Sequence, residues 1–182
     1  MFREFRPAFI FLGKFLGLYI VGNLLYGFYI KAYNPVADPV TWAVTEQTSA
    51  CLNILGSQIS LIQDAFKPSI GMIENEESVI SVFEGCNGLN VMIIFVAFVV
   101  AFGGPRKAML WFIPVGLLVI HIVNLLRIGL LYYTAQYYAH YFYYVHKYFF
   151  TAILYFIIFA LWALWVIRYN GKTRNRSSES PA

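Results

Sequence analysis

Four long apolar stretches divide this chain of 182 residues and restrict what it can fold into. They run from Ala8 to Ile30, from Gly88 to Phe102, from Met109 to Tyr133 and from Tyr148 to Ile167. A helix of about 20 apolar residues crosses the hydrocarbon core of a bilayer. With 60% hydrophobic and only 12% charged residues, the chain lacks the polar surface of a water-soluble domain. We therefore expect an all-α membrane protein, a bundle of about four transmembrane helices in a single domain over residues 1–170.

The basic residues orient the predicted helices. Under the positive-inside rule, helix ends flanked by Lys and Arg face the cytoplasm, so both termini are expected there. The basic residues are spread over the short flanks of the apolar stretches. This distribution argues against nucleic-acid binding, because these residues form no stripe that could follow a phosphate backbone. The segment Gly171–Ala182 is expected to be a disordered cytoplasmic tail. Nine of the 13 Lys and Arg residues lie on this one side: Arg3, Arg6, Lys14, Arg106, Lys107, Arg168, Lys172, Arg174 and Arg176.

Residues 31–87 form the expected extracytoplasmic loop, of roughly fifty residues. The spacing of apolar residues over Val40–Leu55 predicts an amphipathic helix on the membrane surface. The β-branched run Ser78–Phe83 predicts a short strand. Two interpretations stay open, since such a loop either caps a site between the helices or decorates the surface.

Three polar residues are expected on the outer side of the membrane, each on a different helix. Cys86 precedes the second apolar stretch, Arg127 lies in the outer half of the third, and His146 precedes the fourth. A thiolate is a nucleophile, and a nearby cation favours it. Histidine can take the thiol proton and return it to a leaving amine, while arginine can stabilise an oxyanion. Together the three side chains could carry out acyl transfer.

Each of these residues also has a non-catalytic interpretation. Cysteine in membrane helices is often an apolar filler, and Arg127 could be an anchor whose head reaches the interface. His146 could be an interfacial polar residue among aromatic neighbours. Since Cys51 and Cys86 are the two cysteines and both are expected outside, a structural Cys51–Cys86 disulfide is a further alternative.

The other two histidines are weaker candidates. His121 is expected near the middle of its helix, as a packing or supporting residue, and His140 competes with His146 for the role of base. The sequence has no HExxH or CxxC motif and no carboxylate–histidine cluster within a span, so no metal and no cofactor is expected. A GxSxG motif, typical of a serine nucleophile, is also missing from the sequence.

Taken together, three short motifs resemble the exosortase/archaeosortase family, and most closely its exosortase F type. They are Cys86-Asn87-Gly88-Leu89 at the start of one span, Asn124-Leu125-Leu126-Arg127 within the next, and His146 at the start of a third. The resemblance extends over roughly Glu84 to Ile167. Many members have serine where this chain has Asn87.

The resemblance implies a membrane-embedded cysteine protease/transpeptidase that cleaves C-terminal sorting signals of exported proteins through a thioester intermediate. Its substrates would carry a short motif, a transmembrane helix and a basic tail. The enzyme would be a multi-pass protein of the bacterial inner membrane, with its active site facing the periplasm. The residues implied are Cys86, Arg127 and His146 as catalytic, with Asn87, Gly88 and Asn124 in support.

The alternative function is non-enzymatic. In that interpretation the chain is a membrane assembly or export component, Arg127 pairs with a helix of a partner, and Cys51 and Cys86 form a structural disulfide.

Overall fold

The computed structural model describes residues 2–177, and the side chains of residues 5–169. Helices and one small sheet alternate along the chain. The order is α1 (Phe2–Tyr33), α2 (Pro39–Ile54), β1 (Ser60–Gln63), β2 (Ser69–Glu74), β3 (Glu77–Phe83), α3 (Leu89–Phe102), α4 (Arg106–Tyr137), α5 (Phe142–Tyr144) and α6 (Phe150–Ser177). A π-helical turn, Val145–Phe149, joins α5 to α6.

Three helical segments of the described chain are long and apolar enough to cross a membrane: Phe5–Tyr33, Arg106–Tyr137 and Ala139–Tyr169. The expectation of a mainly helical membrane protein is therefore confirmed. The fourth expected span, residues 88–102, is the apolar helix α3, but it has only 14 residues. At 1.5 Å per residue its length is about 21 Å, less than the roughly 30 Å of the hydrocarbon core.

The short helix α3 lies among the long helices. It packs along α1, where a Cβ atom at Gly22 would lie 2.6 Å from Cγ2 of Ile93, so glycine permits this close approach. Near its far end, Phe98 stacks on Trp162 of α6 with ring centroids 4.2 Å apart. Phe95 and Trp165 are both fully buried in this inner core. Aromatic packing thus holds α3 at a fixed height between α1, α4 and α6.

The segment between α1 and α3 forms an outer layer of one helix and one sheet. The helix expected over Val40–Leu55 is α2, and the strand expected over Ser78–Phe83 is β3. Strands β1 and β2 were not predicted from the sequence, and they complete an antiparallel sheet in the order β1-β2-β3.

The outer sheet is hydrogen-bonded to the C-terminal part of α4. The Tyr132 hydroxyl donates to Oε2 of Glu74 at 2.6 Å, and the Gln136 side chain donates to the same oxygen at 3.2 Å. On the inner face of the sheet, Ile70 and Met72 are completely buried. The outer layer therefore packs directly against the helices.

The segment 171–182, expected to be a disordered tail, is partly helical, because α6 continues to Ser177. Residues 178–182 lie outside the described residues.

The turn between β3 and α3 depends on Gly88. Its φ of +84° is in the left-handed region, which glycine adopts without the cost that a Cβ atom brings. A Cβ atom there would also lie 3.2 Å from Nδ2 of Asn124. Gly88 thus sets both the start of α3 and its distance from α4.

We expect Gly88→Ala to destabilise the protein more than Gly27→Ala. Gly27 lies inside α1, and a Cβ atom there would meet nothing within 4 Å. Gly88→Ala carries a backbone cost of roughly 1–2 kcal/mol and also displaces Asn124, whereas neither effect applies at Gly27. Thermal unfolding of the purified variants in detergent measures the difference. Equal stabilities of the two variants would show that the left-handed turn and its contact with Asn124 contribute nothing.

Candidate active site

Cys86 ends a short 3₁₀ turn, Glu84–Cys86, that directly follows β3. Its side chain is only 5% exposed and packs in a core formed by α2, the outer sheet and α4. The Nη2 atom of Arg127 lies 4.0 Å from the sulfur. The structure therefore brings together two of the three expected catalytic residues, which are 41 positions apart in sequence.

Burial and charge act on the thiol in opposite directions. Burial raises the pKa of Cys86 above its ordinary value, and this effect is the larger. The positive charge of Arg127 and the backbone N–H of Phe83 favour the thiolate and partly offset it. In this structure the buried thiol is thus held mainly in its protonated form, beside a cation that would stabilise the thiolate.

Asn124 connects Cys86 to Arg127. It is fully buried, and its Nδ2 donates to the carbonyl oxygen of Cys86 at 2.9 Å. Its Oδ1 accepts a longer hydrogen bond, of 3.4 Å, from Nη1 of Arg127. Because residues three apart on a helix lie on one face, α4 presents both side chains to the turn that carries the cysteine.

Asn87 fixes the same turn from the other side. It is 1% exposed, and its Oδ1 accepts the backbone N–H of Leu89 at 2.9 Å, in the first turn of α3. Its Nδ2 donates to the Thr41 hydroxyl at 3.2 Å and to the Tyr26 hydroxyl at 3.1 Å. Asn87, the residue next to Cys86, is therefore hydrogen-bonded to both α1 and α2.

Sequence reasoning missed the residues that anchor this network in the outer layer. Asp38 is fully buried and accepts hydrogen bonds from the N–H groups of Val40 and Thr41, which caps the start of α2. It also accepts from the hydroxyls of Thr41 and Tyr29. The available signal was local, since an Asp followed by Pro39 is typical of a helix start. Its connection to Asn87 through Thr41 was not readable from sequence.

Two buried polar atoms at the site have no hydrogen-bond partner among the residues that the structure describes: Nε of Arg127 and Oε1 of Glu84. Glu84 lies two residues before Cys86, and its backbone carbonyl accepts the Tyr26 hydroxyl at 2.9 Å. Burial, followed by the negative charge of Asp38, raises the pKa of the Glu84 carboxyl. A free donor and a free acceptor thus remain beside the thiol turn.

His146 lies in the π-helical turn before α6, with its ring stacked on Phe142 at 5.8 Å. The turn that carries His146 contacts α4, the helix that bears Arg127. Among the described residues, its ring makes no hydrogen bond to Cys86 or to Arg127. His146 is therefore carried by an element beside α4, and its ring is not aligned with the thiol for proton transfer.

The remaining histidines lie elsewhere. His121 does not contact Cys86; its Nε2 lies 2.7 Å from Oε1 of Gln47 and links α4 to α2. His140 is exposed, and its ring contacts the edge of Tyr141 at 5.4 Å. Within the described residues, no group of three or more His, Cys, Asp or Glu could hold a metal ion.

The structure contradicts the alternative of a Cys51–Cys86 disulfide. Both cysteines are free, with Cys51 exposed and Cys86 buried. The physical reason is the orientation of α2, because Cys51 lies in an apolar groove with Leu55 and Gly129, whereas Cys86 points into the core toward Arg127.

Comparison with known proteins identifies the family. No curated protein matches the chain, and no solved structure matches it. The model of the transmembrane exosortase family (Exosortase_EpsH) matches residues 8–168, which is most of the chain. Members of this family are membrane cysteine transpeptidases that act on exported proteins with C-terminal sorting signals. With its membrane helices, the chain belongs to the transmembrane exosortase family.

Proposed function

We propose that this protein is a cysteine protease/transpeptidase of the exosortase F type, located in the bacterial inner membrane with its active site facing the periplasm. It cleaves the C-terminal sorting signal of exported proteins. The observation that carries the proposal is the 4.0 Å approach of the Arg127 guanidinium to the Cys86 sulfur, inside a membrane protein of this family. An arginine within a membrane helix is costly and is typically retained for function.

The reaction begins with removal of the thiol proton. His146 accepts it, and the Cys86 thiolate attacks the carbonyl carbon of the substrate peptide, whose oxygen becomes an oxyanion. Arg127 stabilises this developing negative charge, and its unpartnered Nε is one available donor. As the tetrahedral intermediate collapses, the C–N bond breaks and the leaving amine takes the proton from His146. A thioester between Cys86 and the exported protein remains.

The second half of the reaction releases the enzyme. An amine acceptor, or water, attacks the thioester carbonyl and gives up a proton to His146. The C–S bond breaks, Cys86 leaves as thiolate, and the proton returns to it from His146. Asn124 and Asn87 hold the cysteine turn in place, while Gly88 allows α3 to start directly behind it. Because Cys86 is 5% exposed and His146 is not hydrogen-bonded to it, entry of the substrate has to open the site and bring the imidazole to the sulfur.

We expect Cys86→Ala to abolish processing, by at least about 10³-fold, because no other nucleophile replaces the thiol. The assay co-expresses the protein with a tagged exported reporter that ends in a short motif, a hydrophobic helix and a basic tail. The matched control is Cys51→Ala, which removes the exposed thiol and should process the reporter normally. Normal processing by Cys86→Ala would support the non-catalytic alternative instead.

We also expect Arg127→Gln to slow alkylation of Cys86 and to shift its pH profile to higher pH. The reason is that loss of the positive charge raises the pKa of the thiol further. The measurement uses a small maleimide on protein in the Cys51→Ser background. Lys147→Gln serves as a control, since Lys147 contacts Tyr143 and Tyr148 and not the thiol. A profile that is identical in wild type and Arg127→Gln would remove Arg127 from the environment of the thiol.

A further inference from the structure

The outer sheet has an open edge that leads to the cysteine turn. In the order β1-β2-β3, strand β3 is an edge strand of seven residues, Glu77–Phe83, and Cys86 follows three residues after its end. No backbone hydrogen bond outside the sheet involves β3 within the described part of the chain. An edge of this kind can accept a further extended chain.

The hydrogen bonds of β2 identify the β3 groups that face outward. Ser69 of β2 accepts a hydrogen bond from the backbone N–H of Asp64, on the β1 side, at 3.0 Å, so its carbonyl is turned away from β3. Ser69 is opposite Phe83 in the antiparallel ladder, and this pair is therefore a non-hydrogen-bonded one. The backbone N–H and C=O of Phe83 consequently face the open edge, and those of Ser81 do so as well by the two-residue period.

The edge strand ends at the turn that carries the nucleophile, because Glu84–Cys86 directly follows Phe83. The backbone N–H of Phe83 acts on the Cys86 thiol, so the outward groups left for an added strand are those of Ser81 and the carbonyl of Phe83. Ser81 is exposed, and the Phe83 side chain is 48% exposed. A chain hydrogen-bonded along β3 would therefore run toward the cysteine turn with its own backbone, and the buried thiol meets that backbone once the site opens.

The two edges of the sheet differ in a way that favours β3 as a docking edge. Proteins commonly protect sheet edges with short strands, lysine or proline. Strand β1 has four residues and is soon followed by Lys67 and Pro68. Strand β3 is longer, carries three β-branched residues, and contains neither Lys nor Pro.

We propose that the open edge of β3 binds an extended segment of the exported substrate as an additional strand, and so delivers its peptide bond to Cys86. Binding through the backbone holds the segment straight, while the side chains of the motif remain free to be read by other parts of the enzyme. The inference rests on the proposed function, since it names the way in which that same site holds its substrate.

Ser81→Pro tests the proposal, because proline removes the outward N–H without breaking the ladder to β2. We expect processing of the tagged reporter to fall about tenfold, the effect of one lost hydrogen bond. The reference is Ser81→Ala, which loses the same hydroxyl and retains the N–H. On the opposite edge, Gln63→Pro also loses an outward N–H, since the neighbouring Asp64 bonds to β2. The Gln63 side chain donates to the carbonyls of Asp64 and Ser69, so this variant is compared with Gln63→Ala, and we expect no further loss of processing. Wild-type processing by Ser81→Pro would overturn the proposal.

Two further measurements distinguish a lost docking contact from a damaged or misfolded protein. Alkylation of Cys86 in Ser81→Pro should match that of wild type, which would show that the thiol site is intact. Should the variant misfold, single prolines are placed instead along the reporter, through the residues before its hydrophobic helix. Loss of processing at every second position supports strand addition, and an absence of alternation overturns it. By contrast, normal processing by Cys86→Ala would refute the proposed function itself.

Discussion

The hydrogen bond from Asn124 to the carbonyl of Cys86 is the interaction on which the site depends. It joins the turn that carries the thiol to the helix that carries the guanidinium, and both of its atoms are removed from water. A buried amide without a partner costs about 1–3 kcal/mol, so the pair holds the turn against α4. Arg127, three residues further along the same helix, then faces the sulfur as a consequence of helical geometry.

The layer formed by α2 and the sheet encloses the cysteine turn. Through Asp38, Thr41 and Asn87, the start of α2 is hydrogen-bonded to the cysteine turn, while Tyr132 and Gln136 hold the sheet to α4. The thiol is therefore enclosed by elements that belong to one long connection between two helices. Enclosure raises the pKa of the thiol, and the nearby cation partly offsets this effect.

The parts of this structure that depend on local residue patterns could be predicted from the sequence. Long apolar runs marked α1 and α4, and the Asn124–Arg127 spacing placed two polar groups on one helical face. The apolar run 88–102 is short for a span unless a turn is added at either end, and no turn is added because Gly88 and Gly103 bound the 14 residues of α3. Strands β1 and β2 were missed because their short, mixed patterns gain stability only from pairing. The roles of Tyr26 and Asp38 depend on contacts between distant segments, which no periodicity reveals.

The height of the site in the bundle explains why an outer layer is needed at all. Arg127 lies about 31 Å along α4 from Arg106, at 1.5 Å per residue, which is close to the thickness of the hydrocarbon core. In the proposed orientation, with Arg106 at the cytoplasmic boundary, the guanidinium and the thiol would lie at the periplasmic one. Beyond this level α4 continues to Tyr137, beside the sheet. A substrate with a membrane helix followed outward by an extended segment would meet the helices first and the edge of β3 next, with Cys86 at the junction of the two.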